Sequence, residues 1–388
     1  MSHNEIVCMT TSIKILRTYG VFPSQSRELH PGMVFYIRFL VLAVVTSLTL
    51  VGSTLHLIKT IQNNEYNYTE MDLVYIVSFV TAYALIGSFV MKVKASGEMF
   101  VFLSNFEEFG KPINFDKNNK LFNRYSKYHY VYLESLILII LFSSNIFKSK
   151  TCRLENELYN LKEVCGLFTY TWMPFNIDYT PVREIYLTIQ LLGNHHIYML
   201  AGLVAWQVFE TIQHIIIRIR HVKHLFVEAL QEGDVKVRRK KFNFAVRYHN
   251  AVLSAFFSLE DKLNAAFGIF MVTHMVLTAA VIGTGIYCLF RRRSLSSFLV
   301  CMGWFWGLFM DCFSGQRLQD ESLELAVALY DSPWYEMDKE FIKDIMFVLS
   351  RCQIPMKLRA YAFGVIDRAM FLAVMKGTYS YITLLRSQ

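Results

Sequence analysis

The chain is poor in charged residues, and this shortage argues against an ordinary soluble domain. Charged residues make up 18% of the 388 positions, whereas soluble domains contain about 25%. Apart from Lys59 in the first, six apolar runs contain no Asp, Glu, Lys or Arg: residues 39–60, 73–91, 135–147, 185–209, 263–290 and 294–310. Since about 20 apolar residues span a bilayer, these runs predict a polytopic helical membrane protein. The third run reaches spanning length if it extends back through residues 128–134.

A seventh apolar stretch, residues 369–388, ends the chain and differs from the others. On a helix its polar residues Lys376, Ser380, Thr383 and Ser387 align in one stripe, which we call the polar stripe. A charge at the middle of a lipid-facing span costs about 2.5–3.5 kcal/mol, so this helix needs protein on one side and water or a polar surface on the other. We therefore predict an all-α membrane protein with seven transmembrane helices, the last of which lines a pore.

The basic residues predict the orientation of the spans. Loops on one side of the membrane hold 25 lysines and arginines, and loops on the other side hold 10. The richer side is cytoplasmic by the positive-inside rule, which places the amino terminus in the cytoplasm, although three arginines at 291–293 fall on the outer side. The first thirty residues lack a compact apolar core followed by small residues, so we expect no cleavable signal peptide.

Features that would indicate an enzyme or a metal protein are also scarce. The chain has 7 cysteines, and they show no metal-ligand spacing. His195 and His196 are adjacent, but neighbours on a helix point to different faces. No nucleophile–base pair appears in the sequence. We therefore expect no metal, no cofactor and no enzyme activity.

The longest predicted outer loop, residues 148–184, contains two features with alternative interpretations. Cys152 and Cys165 lie there together, either as a disulfide or as two free thiols. The apolar residues 172–175, Trp-Met-Pro-Phe, either fold back as a lid or lie on the lipid headgroups.

Helical periodicity continues beyond the spans on the cytoplasmic side. Apolar residues keep helical spacing at 215–230, 242–263, 318–329 and 341–349, and such faces must pack together or on partner subunits. Ser332–Pro333 are expected to start the last of these helices. The predicted organisation is a cytoplasmic amino-terminal segment (1–32), transmembrane helices one to four (33–217), a cytoplasmic helical linker (218–262), transmembrane helices five and six (263–312), cytoplasmic anchor helices (313–360), and the pore-lining seventh helix with a short extracellular tail (361–388).

Several short motifs occur in the last eighty residues. They are Asp311, Cys312 and Gly315, then 320–322 (DES), 326–330 (AVALY), 332–335 (SPWY), Met370 and Phe371, 378–381 (TYSY) and 384–386 (LLR). This set resembles the carboxyl-terminal signature of insect odorant receptors, and the span number, inverted topology and long fourth helix fit that family. The family's shared co-receptor carries a large insertion where residues 226–258 are short here, so the chain resembles a ligand-tuning subunit.

The resemblance implies a function and partners. In this family four subunits surround a pore lined by the seventh helix, and tuning subunits assemble with the olfactory co-receptor as a cation channel that volatile odorants open. We therefore expect an odorant receptor that acts in olfaction as part of a heterotetramer, in the plasma membrane of olfactory neuron dendrites. The basic residues behind the net charge of +8 are concentrated in the loops on one side of the membrane. We therefore expect lipid, odorant and co-receptor as partners and not nucleic acid.

The family's odorant pocket lies in the outer half of the bundle, among spans two to six. Carried over by depth, the candidate odorant-binding residues are Tyr75, Ser78, Phe79 and Ala82 in span two, Ile139, Phe142, Ser143 and Ile146 in span three, Gln190, Asn194, His195 and Tyr198 in span four, Ile282 and Tyr287 in span five, and Cys301, Met302 and Phe305 in span six. Such a mostly apolar set suits small volatile ligands that are held by shape with few hydrogen bonds. For each position alone, the competing interpretation is ordinary helix packing.

The resemblance and the residue pattern favour different faces of the seventh helix. Aligned on residues 378–379, the family's pore-facing positions are Thr378, Ile382 and Leu385. Ile382 is then the hydrophobic constriction, which gates the pore by losing water. The polar stripe lies on another face. We follow the resemblance for the gate and assign the polar stripe to helix contacts.

Two other receptor classes are the alternatives. A G-protein-coupled receptor also has seven spans, but it requires an outside amino terminus, and neither Asp-Arg-Tyr at the end of span three nor Asn-Pro-x-x-Tyr in span seven is present. A gustatory receptor-type ligand-gated channel ends with Gln-Phe after its Thr-Tyr run, and residues 384–386 (LLR) depart from that ending.

The orientation can be tested at the chain's one glycosylation sequon, Asn67–Tyr68–Thr69, which falls in the predicted outer loop between spans one and two. We expect Asn67 to carry a glycan when the protein is made in insect cells, because that loop would face the secretory lumen. Glycosidase treatment should increase gel mobility, and Asn67→Gln should abolish the change. An amino terminus on the outside would put the sequon in the cytoplasm and leave it unmodified.

Overall fold

The computed structural model describes residues 6–23, 32–63, 68–160, 162–292, 295–359 and 364–386. Within these ranges it describes all side chains except those of residues 143–148, 151, 159, 259–275, 291–292, 295–296 and 384–386. Apart from one isolated bridge between Arg359 and Val365, the regular secondary structure of the described residues is helical. The α-helices are α1 (Thr10–Thr18), α2 (Met33–Gln62), α3 (Thr69–Met91), α4 (Val93–Ser104), α5 (Phe115–Tyr159), α6 (Val182–Leu230), α7 (Val235–Arg292), α8 (Leu295–Tyr330), α9 (Lys339–Cys352) and α10 (Arg368–Arg386).

Each of the seven predicted spans falls in one of these helices, namely α2, α3, α5, α6, α7, α8 and α10. Four helical segments of the described chain are long and apolar enough to cross a membrane: Met33–Gln62, Thr69–Met91, Val182–Leu230 and Ser297–Glu336. A shorter apolar stretch, Val276–Phe290, lies in α7. The prediction of an all-α, multi-pass membrane protein is confirmed.

Four helices have 36 or more residues and are far longer than a bilayer is thick, and one of them is α5 with 45 residues. α6 has 49 residues, which is roughly 70 Å of helix, whereas the hydrocarbon core is only about 30 Å thick. α7 has 58 residues and α8 has 36. As the periodicity predicted, span four continues past the apolar run, and the amphipathic stretch 242–263 leads into span five without a break. These extensions pack with α4 and α9, and Phe226, Phe242 and Phe341 continue the apolar core of the bundle on this side.

A fully buried arginine joins the helices in this part of the core. Arg218 of α6 is 2% exposed and donates hydrogen bonds to the Tyr248 hydroxyl (3.0 Å) and to the carbonyls of Leu103 and Asn105 (2.7 Å each). Its guanidinium also lies 4.8 Å from the ring of Phe106. The carbonyls belong to the carboxyl end of α4, where a cation is favoured by the helix dipole. Arg218 therefore joins α4, α6 and α7 through one side chain.

Two buried histidines near Arg218 are held neutral. Burial lowers the pKa of His221 to about 4, and the positive charge of Arg218 acts in the same direction. Burial likewise lowers the pKa of His249 to about 4, with a smaller effect from Arg351. In the unfolded chain a histidine has a pKa of about 6.5, so each of these groups reduces the free energy of unfolding as the pH falls from that value toward 4.

Two local predictions were wrong. The outer loop does not begin at residue 148, because α5 continues to Tyr159 and carries Cys152 on its last turns. Ser332–Pro333 precede a single 3₁₀ turn, Trp334–Glu336, rather than the last cytoplasmic helix. That helix, α9, is capped by Asp338, whose carboxylate accepts a hydrogen bond from the Phe341 amide at 3.0 Å.

The buried hydrogen bonds of Arg218 predict that its substitution lowers the stability of the protein. We expect Arg218→Lys to destabilise the purified protein by about 2 kcal/mol, because a single ammonium cannot replace the fork of donors and leaves buried carbonyls unpaired. Thermal unfolding followed by fluorescence in detergent should show a lower Tm. The matched control is Arg247→Lys on α7, since Arg247 is exposed; equal Tm values for the two variants would contradict the role given to Arg218.

Candidate functional site

The outer end of the helix bundle is closed by the loop between α5 and α6. Residues 167–171 of this loop, which we call the plug, enter the bundle, and Phe168 at its centre is fully buried. The Phe168 ring lies 5.4 Å from the ring of Tyr75 on α3. Of the two alternatives for this loop, the structure therefore shows the folded-back form. The residues that enter are not the predicted 172–175, because Pro174 and Phe175 are exposed.

Polar side chains from two helices hold the plug in place. Gln190 of α6 accepts a hydrogen bond from the Phe168 amide (2.9 Å) and donates one to the Thr171 hydroxyl (2.9 Å). Ser53 of α2 donates to the Thr169 hydroxyl at 3.0 Å. Thr171 also packs so closely on α2 that a side chain in place of Gly52 would collide with it.

The base of the loop is fixed by a disulfide and an ionic cluster. Cys152 and Cys165 form a disulfide, with their Cα atoms 5.7 Å apart. His56 of α2 bridges two carboxylates, with Nδ1 2.6 Å from Asp72 and Nε2 3.0 Å from Glu163. These contacts join α2, α3, α5 and the loop. The predicted glycosylation site, Asn67, lies outside the described residues.

Beneath the plug, α3, α5, α6 and α8 enclose a cavity of about 90 Å³. This is several times the roughly 10–15 Å³ that one water molecule needs. Most of the lining is apolar, and polar side-chain atoms come from Tyr198, Trp304 and Asp311. The full lining is Leu85, Leu133, Leu136, Ile137, Ile140, Tyr198, Ala201, Gly202, Ala205, Leu299, Val300, Gly303, Trp304, Gly307, Leu308 and Asp311.

Small residues on two facing helices create this space. On α6, Gly202 is so close to Leu133 of α5 that no other side chain would fit. On α8, Gly303 and Gly307 lie one turn apart on the cavity face, and a Cβ atom at Gly307 would meet nothing within 4 Å. Gly202 thus lets Leu133 approach α6, whereas the missing side chain at Gly307 leaves open space on the cavity face.

Of the predicted odorant-binding residues whose side chains the structure describes, Tyr198 alone lines this cavity. The predicted residues of α3, Tyr75, Ser78, Phe79 and Ala82, are all buried but lie nearer the outer end of that helix than Leu85. The prediction placed the ligand where the plug is. Because the loop's own Phe168 occupies the outer space, the empty volume lies one to two helical turns closer to the cytoplasm.

The predicted residues of α6 other than Tyr198 have structural contacts instead. Gln190 holds the plug, and the Asn194 amide donates to the Gln190 carbonyl at 2.7 Å. His195 lies 3.0 Å from the carboxylate of Glu134 on α5, whereas His196 faces the ring of Tyr19. The two histidines thus point to different neighbours, and the described residues contain no cluster of metal ligands.

The remaining predicted residues lie on other surfaces. Ile139, Phe142 and Met302 are 51%, 64% and 41% exposed and face away from the cavity. The side chains of Ser143 and Ile146 lie outside the described residues. Ile282 and Cys301 are buried where α7 crosses α8, Tyr287 is half-buried, and Phe305 contacts the Phe371 ring of α10. The residues that the sequence reasoning missed, such as Gly202, Gly303 and Gly307, carry a readable signal, since small residues in mid-span allow close helix crossings.

α10 packs on α7 and α8 and leaves one side free. Thr378 is 4% exposed, donates to the Val374 carbonyl (2.9 Å) and turns toward its own subunit, whereas Ile382 is only half-buried. The side chain of Leu385 lies outside the described residues. The three described members of the polar stripe, Lys376, Ser380 and Thr383, are exposed.

Sequence comparison identifies relatives over part of the chain and a family over most of it. The family model described as 7tm Odorant receptor matches residues 71–379. Odorant receptor 85f of Drosophila melanogaster is 29% identical over 134 residues, which is 33% of this chain and 34% of that receptor. Odorant receptor 10 of Aedes albopictus is 30% identical over 79 residues, which is 20% of this chain and 21% of that receptor. The chain therefore aligns with about a third or less of the length of these two relatives.

Structure comparison covers nearly the whole chain. The insect olfactory receptor OR5 from Machilis hrabei in complex with eugenol has a TM-score of 0.77 to this chain, at 14% identity, over 96% of this chain and 98% of that one. The structure of the same receptor reported without a ligand in its name also has a TM-score of 0.77, over 96% and 97%. At this low identity the likeness shows a shared fold.

These matches agree with the resemblance found in the carboxyl-terminal motifs, and they do not favour the gustatory or G-protein-coupled alternatives. A receptor family also agrees with the expectation that the chain is not an enzyme. Since the family model covers most of the sequence and the fold is shared over nearly all of it, the chain belongs to the 7tm odorant receptor family.

Proposed function

We propose that this chain is the ligand-binding subunit of an odorant-gated cation channel, and that the cavity between α3, α5, α6 and α8 is its odorant site. The observation that carries the proposal is a mainly apolar cavity between four helices, with few polar groups. Volatile odorants are small and make few hydrogen bonds, so shape and apolar contact determine how tightly they bind. The plug closes the outer end of the bundle and keeps bulk water from the site.

Contacts between α8 and α10 supply a route from this site to the pore. Leu308 lines the cavity and also belongs to an apolar cluster with Cys312, Ile366 and Met370, the last of which is on α10. One turn away, the Phe305 and Phe309 rings lie 5.6 and 5.8 Å from the Phe371 ring of α10. A ligand that displaces α8 would therefore move the pore helix. The coupling is a difference in binding free energy between the closed and open arrangements.

Partner subunits are supported by apolar surface on the cytoplasmic helices. Val327 and Tyr330 of α8 are 56% and 64% exposed, and Met346 and Phe347 of α9 are 50% and 80% exposed. Large apolar patches of this kind mark protein–protein contacts. The proposed partners are olfactory co-receptor subunits, in a heterotetramer located in the plasma membrane of the olfactory neuron dendrite. In the proposed orientation the amino terminus is cytoplasmic, residues 218–262 and 313–360 form the cytoplasmic anchor, and residues 361–388 form the pore helix and a short outer tail.

The side of α10 that faces the pore is part of the proposal. Ile382 is the proposed constriction, and it lies at the border between the packed side and the free side of α10. Thr378 contacts its own subunit in this arrangement, so it would reach the pore only if α10 turned when the channel opens. The exposed polar stripe would contact a neighbouring subunit or water.

The channel function is tested by expressing the chain with and without co-receptor in cells that lack other odorant receptors. We expect currents in response to members of a volatile panel only when both subunits are present, because the pore is shared. Staining at the cell surface controls for delivery. Currents from the chain alone would contradict the shared pore, and silence toward every volatile at normal surface levels would contradict the function.

The location of the odorant site is tested by filling the cavity. Gly307→Val adds a side chain into open space, and we expect the potency of effective volatiles to fall roughly tenfold or more, as for pockets that lose room for one or two methylenes. Gly87→Val on α3 is the matched control, because a Cβ atom at Gly87 also meets nothing within 4 Å but Gly87 does not line the cavity. An equal loss of potency in both variants, or no loss in either, would show that the odorant site is not this cavity.

The facing of α10 is tested by cysteine labelling of the closed channel. We expect a membrane-impermeant thiol reagent to modify Ile382→Cys, at the proposed constriction, and to spare Thr378→Cys, which is buried against its own subunit. The readout is the change in odorant-evoked current after the reagent is washed away. Modification of Thr378→Cys without odorant would show that α10 is turned relative to this arrangement.

A further inference from the structure

A carboxyl group without a hydrogen-bond partner lies at the cytoplasmic end of the cavity. Asp311 belongs to the same face of α8 as Gly303, Gly307 and Leu308, and it lines the cavity with them. The residue is 8% exposed. Its Oδ1 atom is buried, and no donor in the described part of the protein reaches it.

This arrangement is unfavourable unless something binds there. Burying a polar group without a hydrogen bond costs about 1–3 kcal/mol in proteins, and an ionised carboxylate costs far more. Arg368 at the start of α10 does not compensate Asp311, since its guanidinium lies over the ring of Phe313 instead. Around Asp311 the cavity wall consists of aliphatic and small residues, such as Leu133, Ala205 and Leu308.

We infer that the cavity selects small volatile amines, with the ligand nitrogen donating to the Asp311 carboxylate and the alkyl chain extending along α8 toward Tyr198. This inference rests on the proposed odorant site and adds the chemical class of its ligand. An aliphatic amine suits the site on both counts: its nitrogen supplies the missing donor, and its hydrocarbon part matches the remaining wall.

The same geometry disfavours other volatile classes. An alcohol can donate to a carboxylate, but it brings no positive charge, so the buried negative charge of Asp311 stays uncompensated, whereas a protonated amine neutralises it. Esters and ketones have no donor and would leave Asp311 unpaired. Carboxylic acids would bring a second negative charge beside it. The size of about 90 Å³ limits the alkyl chain to a short one.

The test compares n-butylamine with 1-butanol, which share a chain length, on cells that express the receptor with co-receptor. We expect the amine to be the more potent agonist of the native chain. In Asp311→Asn the potency of the amine should fall at least tenfold while that of the alcohol changes little, because asparagine keeps the shape and removes the charge. Asp331→Asn, an exposed acid at the end of the same helix, is the matched control and should respond like the native chain.

A binding measurement separates this inference from the channel function. Butylamine should raise the Tm of the purified native receptor and not that of Asp311→Asn, whether or not currents are obtained. Suppose that the native chain responds to neutral volatiles and that Asp311→Asn leaves both the amine response and the amine-induced Tm shift unchanged. The amine site would then be wrong, and the proposed odorant channel would stand. If no volatile evokes current but the Tm shift depends on Asp311, the amine site stands and the channel proposal fails.

Discussion

Hydrocarbon offers no hydrogen bonds, so a polar group in the membrane-embedded part of this chain is costly unless it finds a partner within the protein. Gln190 illustrates the consequence. Its amide lies in the outer part of α6, and its partners come from the loop, as the Phe168 amide and the Thr171 hydroxyl. Once the loop is inserted to satisfy Gln190, Phe168 fills the outer end of the bundle. The space left for a ligand then lies deeper, where Gly202, Gly303 and Gly307 keep the helices from filling it.

The same α8 helix serves both the cavity and the pore helix, and its length decides how it can move. It runs without a break for 36 residues from the outer side into the cytoplasm. Below the cavity it is tied to α6 by ion pairs, among them Lys223 with Glu324 at 2.8 Å. At the level of the cavity its contacts with α10 are apolar, through Phe305, Leu308 and Phe309. Apolar contacts slide at small cost, whereas hydrogen-bonded pairs hold their register, so in the proposed channel a ligand could move α8 against α10 at the level of the cavity while the cytoplasmic part of α8 stays packed on α6.

Hydropathy and periodicity predicted the helices well because both patterns are local. The apolar runs place the membrane helices, and the continued spacing at 215–230 predicts the cytoplasmic extension of α6, since an α-helix needs only contacts within one turn. The Ser332–Pro333 start of α9 was wrong for the opposite reason. Both Ser332 and Asp338 are suitable capping residues, and the choice between them depends on how the chain packs around Trp334.

The position of the cavity was beyond a local reading. Depth along each helix can be estimated from the sequence, and the candidate residues were chosen in that way. Whether the bundle is empty at a given depth depends on which side chains other segments place there. Here the loop places Phe168 beside Gln190, more than twenty positions away in the sequence. Glycine in mid-span was the better indicator of a close helix crossing. Gly202 has no side chain at the point where Leu133 of α5, more than sixty positions away in the sequence, approaches α6. Such a crossing is visible only after the helices are packed.

α10 shows why one subunit determines only part of a pore. Within the chain, packing selects the side that carries Met370, Val374 and Thr378, since these residues exclude lipid and water together with α7 and α8. The opposite side carries Lys376 and Ser380, and nothing within the described subunit covers it. A lysine at that depth is unfavourable in lipid, so a neighbouring subunit or a water-filled space must meet it. The polar stripe is thus better evidence for assembly than for the identity of the gate, because only the assembled channel determines which of its residues meet water.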